Sequence, residues 1–301
     1  MLKEQALVRR AMVTLVAVAL VAVTAERPAG SQPAAGPVCK PAGSLMRLAG
    51  LPEASGLVAS RTTPGRLWSH NDSGKPEIFA LDAKGKVAGR VSVSGASLVD
   101  WEAMASGPCE TGTCLYVADI GDNNGKRKDI TIYRMPEPGQ ASGSVKIDGA
   151  FRAAYPDGGH DAEALLAASD GRLYIVTKGD TGAVSLYRFP AELRADTTMR
   201  LERVGAAMSN GQPAANARIT DGAVSIDGQW VALRTKGALI FYRAAEFLKG
   251  QFKEAGRMDL TSLGEPQGEA VTFGPAQTVY IAGEGGGQSQ PGTLAALSCP
   301  Q

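Results

Sequence analysis

Asp161-Ala-Glu-Ala-Leu165, Leu173-Tyr-Ile-Val-Thr177 and Val184-Ser-Leu-Tyr-Arg188 are three short apolar runs separated by Gly-containing turns. Runs of this length and spacing read as consecutive β-strands. The first run has relatives along the chain: Glu53-Ala-Ser-Gly-Leu57, Asp100-Trp-Glu-Ala-Met104, Ile219-Thr-Asp-Gly-Ala223 and Gln267-Gly-Glu-Ala-Val271. The second recurs as Leu67-Trp-Ser-His-Asn71, Leu115-Tyr-Val-Ala-Asp119, Val231-Ala-Leu-Arg-Thr235 and Val279-Tyr-Ile-Ala-Gly283. The third recurs as Ile78-Phe-Ala-Leu81, Ile130-Thr-Ile-Tyr-Arg134 and Leu239-Ile-Phe-Tyr-Arg243. The column Ser55, Glu102, Glu163, Asp221, Glu269 advances by 47, 61, 58 and 48 residues, room for four strands per unit.

Such a repeat is a propeller blade, so the expected fold is an all-β, five-bladed β-propeller. A six-bladed form would hide an extra blade in the 102–163 or 163–221 spacing, where no further set of strands is evident. The fifth repeat stops after three strands, at Thr293-Leu-Ala-Ala-Leu297, and Ser44-Leu-Met-Arg-Leu48 precedes the first without a partner. Joining these closes the ring antiparallel and sets Cys299 beside Cys39. Cys109 and Cys114 flank a four-residue turn and are expected to pair locally. A zinc site would need a Cys-x2-Cys pair, which is absent.

Composition agrees. The 301 residues are 44% hydrophobic, 20% charged and 6% aromatic, with 37 Gly and 2 His, which suits short strands and tight turns. Net charge is +1, not the basic field of a nucleic-acid binder. Residues 1–25 read as a secretion signal: Lys3, Arg9 and Arg10, then an apolar run from Ala11 to Val23, then Val23-Thr24-Ala25. The apolar run is shorter than the roughly 20 residues of a bilayer span. Residues 26–43 read as a flexible leader and 44–299 as the propeller domain. A secreted or periplasmic monomer follows, without a membrane span after cleavage. Four cysteines, an even number, fit disulfides in such a compartment.

Blade geometry brings the first-strand acids to one channel mouth. Glu102, Glu163, Asp221 and Glu269 form the candidate metal site. Like charges at close range raise each other's pKa, and a divalent cation would resolve this. Oxygen-rich, histidine-poor surroundings favour Ca2+. Equally, these acids can bond backbone amides or Lys178, Arg234 and Lys236. His70 and His160 map to the same mouth and are the candidate general bases, with ordinary turn or surface histidines as the other reading. Asp119-Ile-Gly-Asp-Asn-Asn-Gly125 lacks the phasing of an EF-hand and reads as a turn. Ser55 and Ser73 lack a nucleophile-elbow context. The Tyr-Arg pairs on the third strands are assigned to packing between blades.

The run Glu53-Ala-Ser-Gly-Leu57, Leu67-Trp-Ser-His-Asn-Asp72, Ile78-Phe-Ala-Leu-Asp82 and Asp100-Trp-Glu-Ala103 resembles the SdiA-regulated family of bacterial propellers. It is also similar to phytase-like esterase propellers. The blade starts Asp221-Gly222 and Glu269-Ala270 resemble gluconolactonase and senescence-marker-type propellers. Those families imply a divalent cation at the mouth and, in the lactonases, ester or lactone hydrolysis. Ser55 replaces an acid in the first repeat, and the lactonases' asparagine ligands have no clear counterpart in the ring. Two functions are therefore expected: a metal-dependent hydrolase of a small ester, lactone or phosphoester, or a non-catalytic extracellular module binding a ligand or protein.

Overall fold

The structure, a computed structural model, describes residues 36–110, 112–180, 183–207, 218–287 and 289–300. The signal segment and the leader up to residue 35 lie outside the described residues. The chain begins with β1 (Lys40–Pro41) and β2 (Met46–Leu48). The first blade is β3 (Ala54–Ala59), β4 (Arg66–Asn71), β5 (Glu77–Asp82) and β6 (Val87–Ser94). The second is β7 (Trp101–Cys109), β8 (Gly112–Asp119) and β9 (Ile130–Pro136), then, beyond β10 (Gly143–Lys146), β11 (Gly149–Ala154). The third is β12 (Ala162–Ala167), β13 (Leu173–Thr177) and β14 (Val184–Arg188), then, beyond β15 (Met199–Arg200), β16 (Glu202–Ala207). The fourth is β17 (Ile219–Val224), β18 (Trp230–Thr235), β19 (Ala238–Arg243) and β20 (Glu254–Asp259). The fifth is β21 (Gln267–Phe273), β22 (Thr278–Glu284) and β23 (Gly292–Ser298).

Why the strands are apolar on both faces follows from this stacking. Each sheet is covered by a neighbour on either side, so successive residues serve alternate cores. Leu165, Leu173 and Ile175 join the core shared with the second blade. Leu166, Tyr174 and Val176 join the core shared with the fourth. A buried core lies at each of the five interfaces, including the one between the fifth and first blades. That last core, built on Leu57, Leu67, Ala270 and Leu294, closes the circle. The inner strands β3, β7, β12, β17 and β21 touch in a closed circuit around the channel. The chain is a five-bladed β-propeller.

The two long repeat spacings have a specific cause. Strand β10 leaves the second blade and pairs parallel to β6, giving the first blade a fifth strand. Strand β15 leaves the third blade and pairs parallel to β11, doing the same for the second. The extra residues cover two outer edges that would otherwise offer free N–H and C=O groups. They do not build a sixth blade.

Ring closure matches the expectation. Met46 and Leu48 pair antiparallel with Leu294 and Gly292, and Lys40 pairs with Ser298. Cys39 and Cys299 are disulfide-bonded with Cα atoms 4.0 Å apart, and Cys109 bonds Cys114. Pairing starts within the segment read as leader: the Gly36 N–H donates to the Ala255 carbonyl, and β1 lies between residues 36 and 43. The third-strand tyrosines Tyr133 and Tyr187 sit in the cores between blades, as expected.

Candidate functional site

One β-bulge recurs at the start of every inner strand. Pairing skips a residue at Glu102, Glu163, Thr220 and Glu269, and skips Ser55-Gly56 in the first blade. A bulge leaves its extra residue out of the ladder and re-aims its side chain. The ring at the mouth is therefore Ser55, Glu102, Glu163, Thr220, Glu269. Its hydroxyl members make equivalent bonds to the next blade: Ser55 Oγ donates to the Glu102 carbonyl at 3.0 Å, and Thr220 Oγ1 to the Glu269 carbonyl at 2.9 Å.

Asp221, placed in the ring by its ten-residue spacing to Val231, stands one position further on. Val224 pairs with Val231, where the third blade pairs Ala167 with Leu173, so the fourth hairpin is one residue longer between its paired ends. Asp221 is wholly buried. Its Oδ2 accepts the Val271 N–H at 2.8 Å, and its Oδ1 has no hydrogen-bond partner. Burial raises its pKa well above the carboxylate range, with the Val271 and Gly222 amides opposing.

Glu102, Glu163 and Glu269 do come together and are all buried. Burial is the largest cause raising each pKa. Glu163 adds repulsion to Glu102, and Glu269 adds repulsion to Glu163. Against this stands Lys178, whose Nζ lies 2.5 Å from Glu163 Oε1 and 2.9 Å from Asp161 Oδ2. Gly121 lies against Asp100 and Glu102; a Cβ there would collide with both carboxylates. On the fourth and fifth blades Arg234 is consumed by Glu265, at 2.5 Å.

A calcium ion needs six to eight oxygens converging on one point. Among the described residues no group of three or more His, Cys, Asp or Glu is placed to hold a metal ion. Asp221 is off the ring, and an ammonium group already bonds Glu163. As arranged, Glu102, Glu163, Asp221 and Glu269 do not fit a metal ion.

The two histidines separate. His70 is wholly buried in the first blade, edge-on to Trp101 with ring centroids 5.5 Å apart. Its Nδ1–H is held 3.0 Å from the Asn71 carbonyl, and Gly56 lacks the Cβ that would strike its Nε2. Burial lowers its pKa to about 4, so it is neutral at physiological pH and shut off from solvent. This position does not suit a base acting on a ligand. His160 is partly exposed and lines a cavity of about 340 Å³ with Asn123, Asp161, Asp180 and Arg203. Its Nε2 lies 3.1 Å from Asp157 Oδ1 and 2.9 Å from the Tyr187 hydroxyl. With the ring proton on Nε2, where the Asp157 carboxylate can accept it, Nδ1 is the nitrogen left to take a proton. Asp157 and Tyr187 carried no sequence signal beyond the third-strand repeat. Asp122 is spent on a turn, accepting the Lys126 and Arg127 N–H groups, as the turn reading expects.

Remaining acids crowd the mouth over the fifth, first and second blades. Burial, Glu53 and Asp100 raise Asp72 to about 6. Burial, Glu269, Asp72 and Glu53 raise Glu284 to about 7. A carboxyl whose pKa is higher folded than unfolded stabilises the fold below its unfolded pKa and loses that contribution as pH rises through the folded value. Stability is thus expected to fall from about pH 4 to pH 7 through these two groups, and Asp72→Asn with Glu284→Gln should flatten the fall. His70 acts in the opposite sense, costing stability as pH drops from its ordinary value towards its folded one. Urea midpoints across this range check the assignment; an unchanged slope in the double variant would refute it.

No family model and no curated protein matches the chain. Among solved structures, the PQQ-bound aldose sugar dehydrogenase of Streptomyces coelicolor is similar over 89% of this chain and 100% of its own, at 13% identity and a TM-score of 0.54. The likeness is one of fold. Streptogramin B lyase aligns over 88% of this chain and 98% of its own, at 11% identity and a TM-score of 0.46. The gluconolactonase XC5397 of Xanthomonas campestris aligns over 91% and 99%, at 15% identity and a TM-score of 0.43. Among the described residues no helix is long and apolar enough to cross a membrane.

Proposed function

We propose that this chain is a secreted or periplasmic propeller that receives a small organic cation at its acidic mouth, as a binding module. One observation carries the reading: the ring holds an alkylammonium of its own, Lys178, while the mouth's ion pairs go to Asp119, Asp161, Glu163 and Glu265. Glu53 and Asp72 repel Glu284 across the mouth, and Glu53 and Asp100 repel Asp72. An incoming ammonium relieves that repulsion and displaces protons from the raised carboxyls. The two disulfides support an oxidising compartment. The kinship proposed with SdiA-regulated and phytase-like esterase propellers rests on the repeat openings alone.

Calorimetric titration with putrescine and spermidine tests this. Binding tighter than roughly 1 mM is expected, about tenfold weaker in acid, and lost in Asp72→Asn/Asp100→Asn/Glu284→Gln. Absence of heat with either amine sinks the reading.

The Asp157–His160–Tyr187 set favours a second reading, hydrolysis of a small ester, lactone or phosphoester. His160 Nδ1 would take a proton from water in the adjoining cavity, with Asp157 stabilising the imidazolium. Turnover of an ester and phosphoester panel that survives chelator and disappears in His160→Gln supports it. No turnover across the panel removes it.

A further inference from the structure

The ring's chemistry turns on where the Lys178 ammonium sits. Its backbone is clamped between two blades: the Lys178 N–H donates to the Asp161 carbonyl, and its carbonyl accepts the Ile219 N–H, each at 3.0 Å. The side chain reaches back to the mouth. Nζ meets Glu163 Oε1 at 2.5 Å, Asp161 Oδ2 at 2.9 Å and Asn123 Oδ1 at 3.4 Å. Three acceptors meet three ammonium donors. The acceptors come from the third blade's inner strand, the residue before it, and the loop after β8. Two carboxylates and an amide oxygen are hard donors of the kind that hold calcium.

We infer that Lys178 is a covalently attached replacement for a divalent cation: it bonds the oxygens an ion would take and makes the mouth selective against divalent metals. Its charge also reaches Glu102, Asp100 and Glu269, so one fixed cation serves acids of the second, third and fifth blades. Removing the ammonium leaves Glu163, Asp161 and Asn123 facing one vacated space with Glu102 nearby. The Lys178 contacts exist whether or not an amine binds the mouth, so a failed amine titration leaves them standing.

Terbium luminescence, competed by calcium, reads the outcome in the folded protein. Wild type is expected to show no site that Glu163→Gln abolishes. Lys178→Met is expected to bind terbium at least about tenfold more tightly than wild type, and Lys178→Met/Glu163→Gln to lose the gain. Lys178→Arg, which keeps the charge, should behave as wild type. A wild-type calcium site abolished by Glu163→Gln overturns the inference, as does a folded Lys178→Met that gains no affinity. If Lys178→Met does not fold, Lys178→Gln is read in its place by the same criterion, and the wild-type titration alone still decides whether the ring holds a metal.

Discussion

Replacing Cys39 and Cys299 with serine is expected to lower the unfolding free energy by about 5–6 kcal/mol, the chain-entropy value for a loop of this length. The bond joins residues 260 apart in sequence, so it restricts nearly the whole described unfolded chain. It also holds the closing strands β1 and β2 against β23, beside the one interface where the first and last blades meet. Cys109→Ser/Cys114→Ser is the control. Those residues are five apart, across a turn that the β7–β8 ladder already closes, and their loss should cost far less. Urea unfolding of both double variants, with and without reductant, measures the difference. Equal losses in the two would contradict the ring-closure role.

Arg234→Met is expected to cost about 3–5 kcal/mol, because it removes one partner of a buried ion pair. Arg234 is wholly buried between the fourth and fifth blades. Nη1 donates to the Ala270 and Ala282 carbonyls at 2.6 and 2.7 Å, and Nη2 to Glu265 Oε2 at 2.5 Å. Gly268 makes the room, since a Cβ there would strike the guanidinium. Methionine fills the stem's volume but orphans two carbonyls and a buried carboxylate. Adding Glu265→Gln should recover part of the loss by discharging the orphan. A loss below about 1 kcal/mol in the single variant would mean that the interface does not depend on this pair.

How the site was legible differs from how the fold was. Four ring members, Ser55, Glu102, Glu163 and Glu269, follow from aligning blade starts. Asp221 does not, because blade starts align only between hairpins of equal length and the fourth is one residue longer. A one-residue slip moves a side chain to the other face of its strand, so Thr220 takes the ring place and Asp221 turns into the blade interface. The place of His70 at the end of β4 points to the mouth. Its burial depends on Gly56 and Trp101 closing over it from neighbouring strands.

The sequence by itself determined the first three strands of each blade, their grouping into five units, the closing N-terminal strand and both cysteine pairings. Those features are written in local periodicity and in the order of repeats along one chain. Only the tertiary structure decided that the long spacings cover blade edges through β10 and β15, that Lys178 answers the ring's charge, and that His160 belongs with Asp157 and Tyr187. Bulge register, burial and Coulomb energy depend on distances between residues far apart in sequence, which no local pattern records.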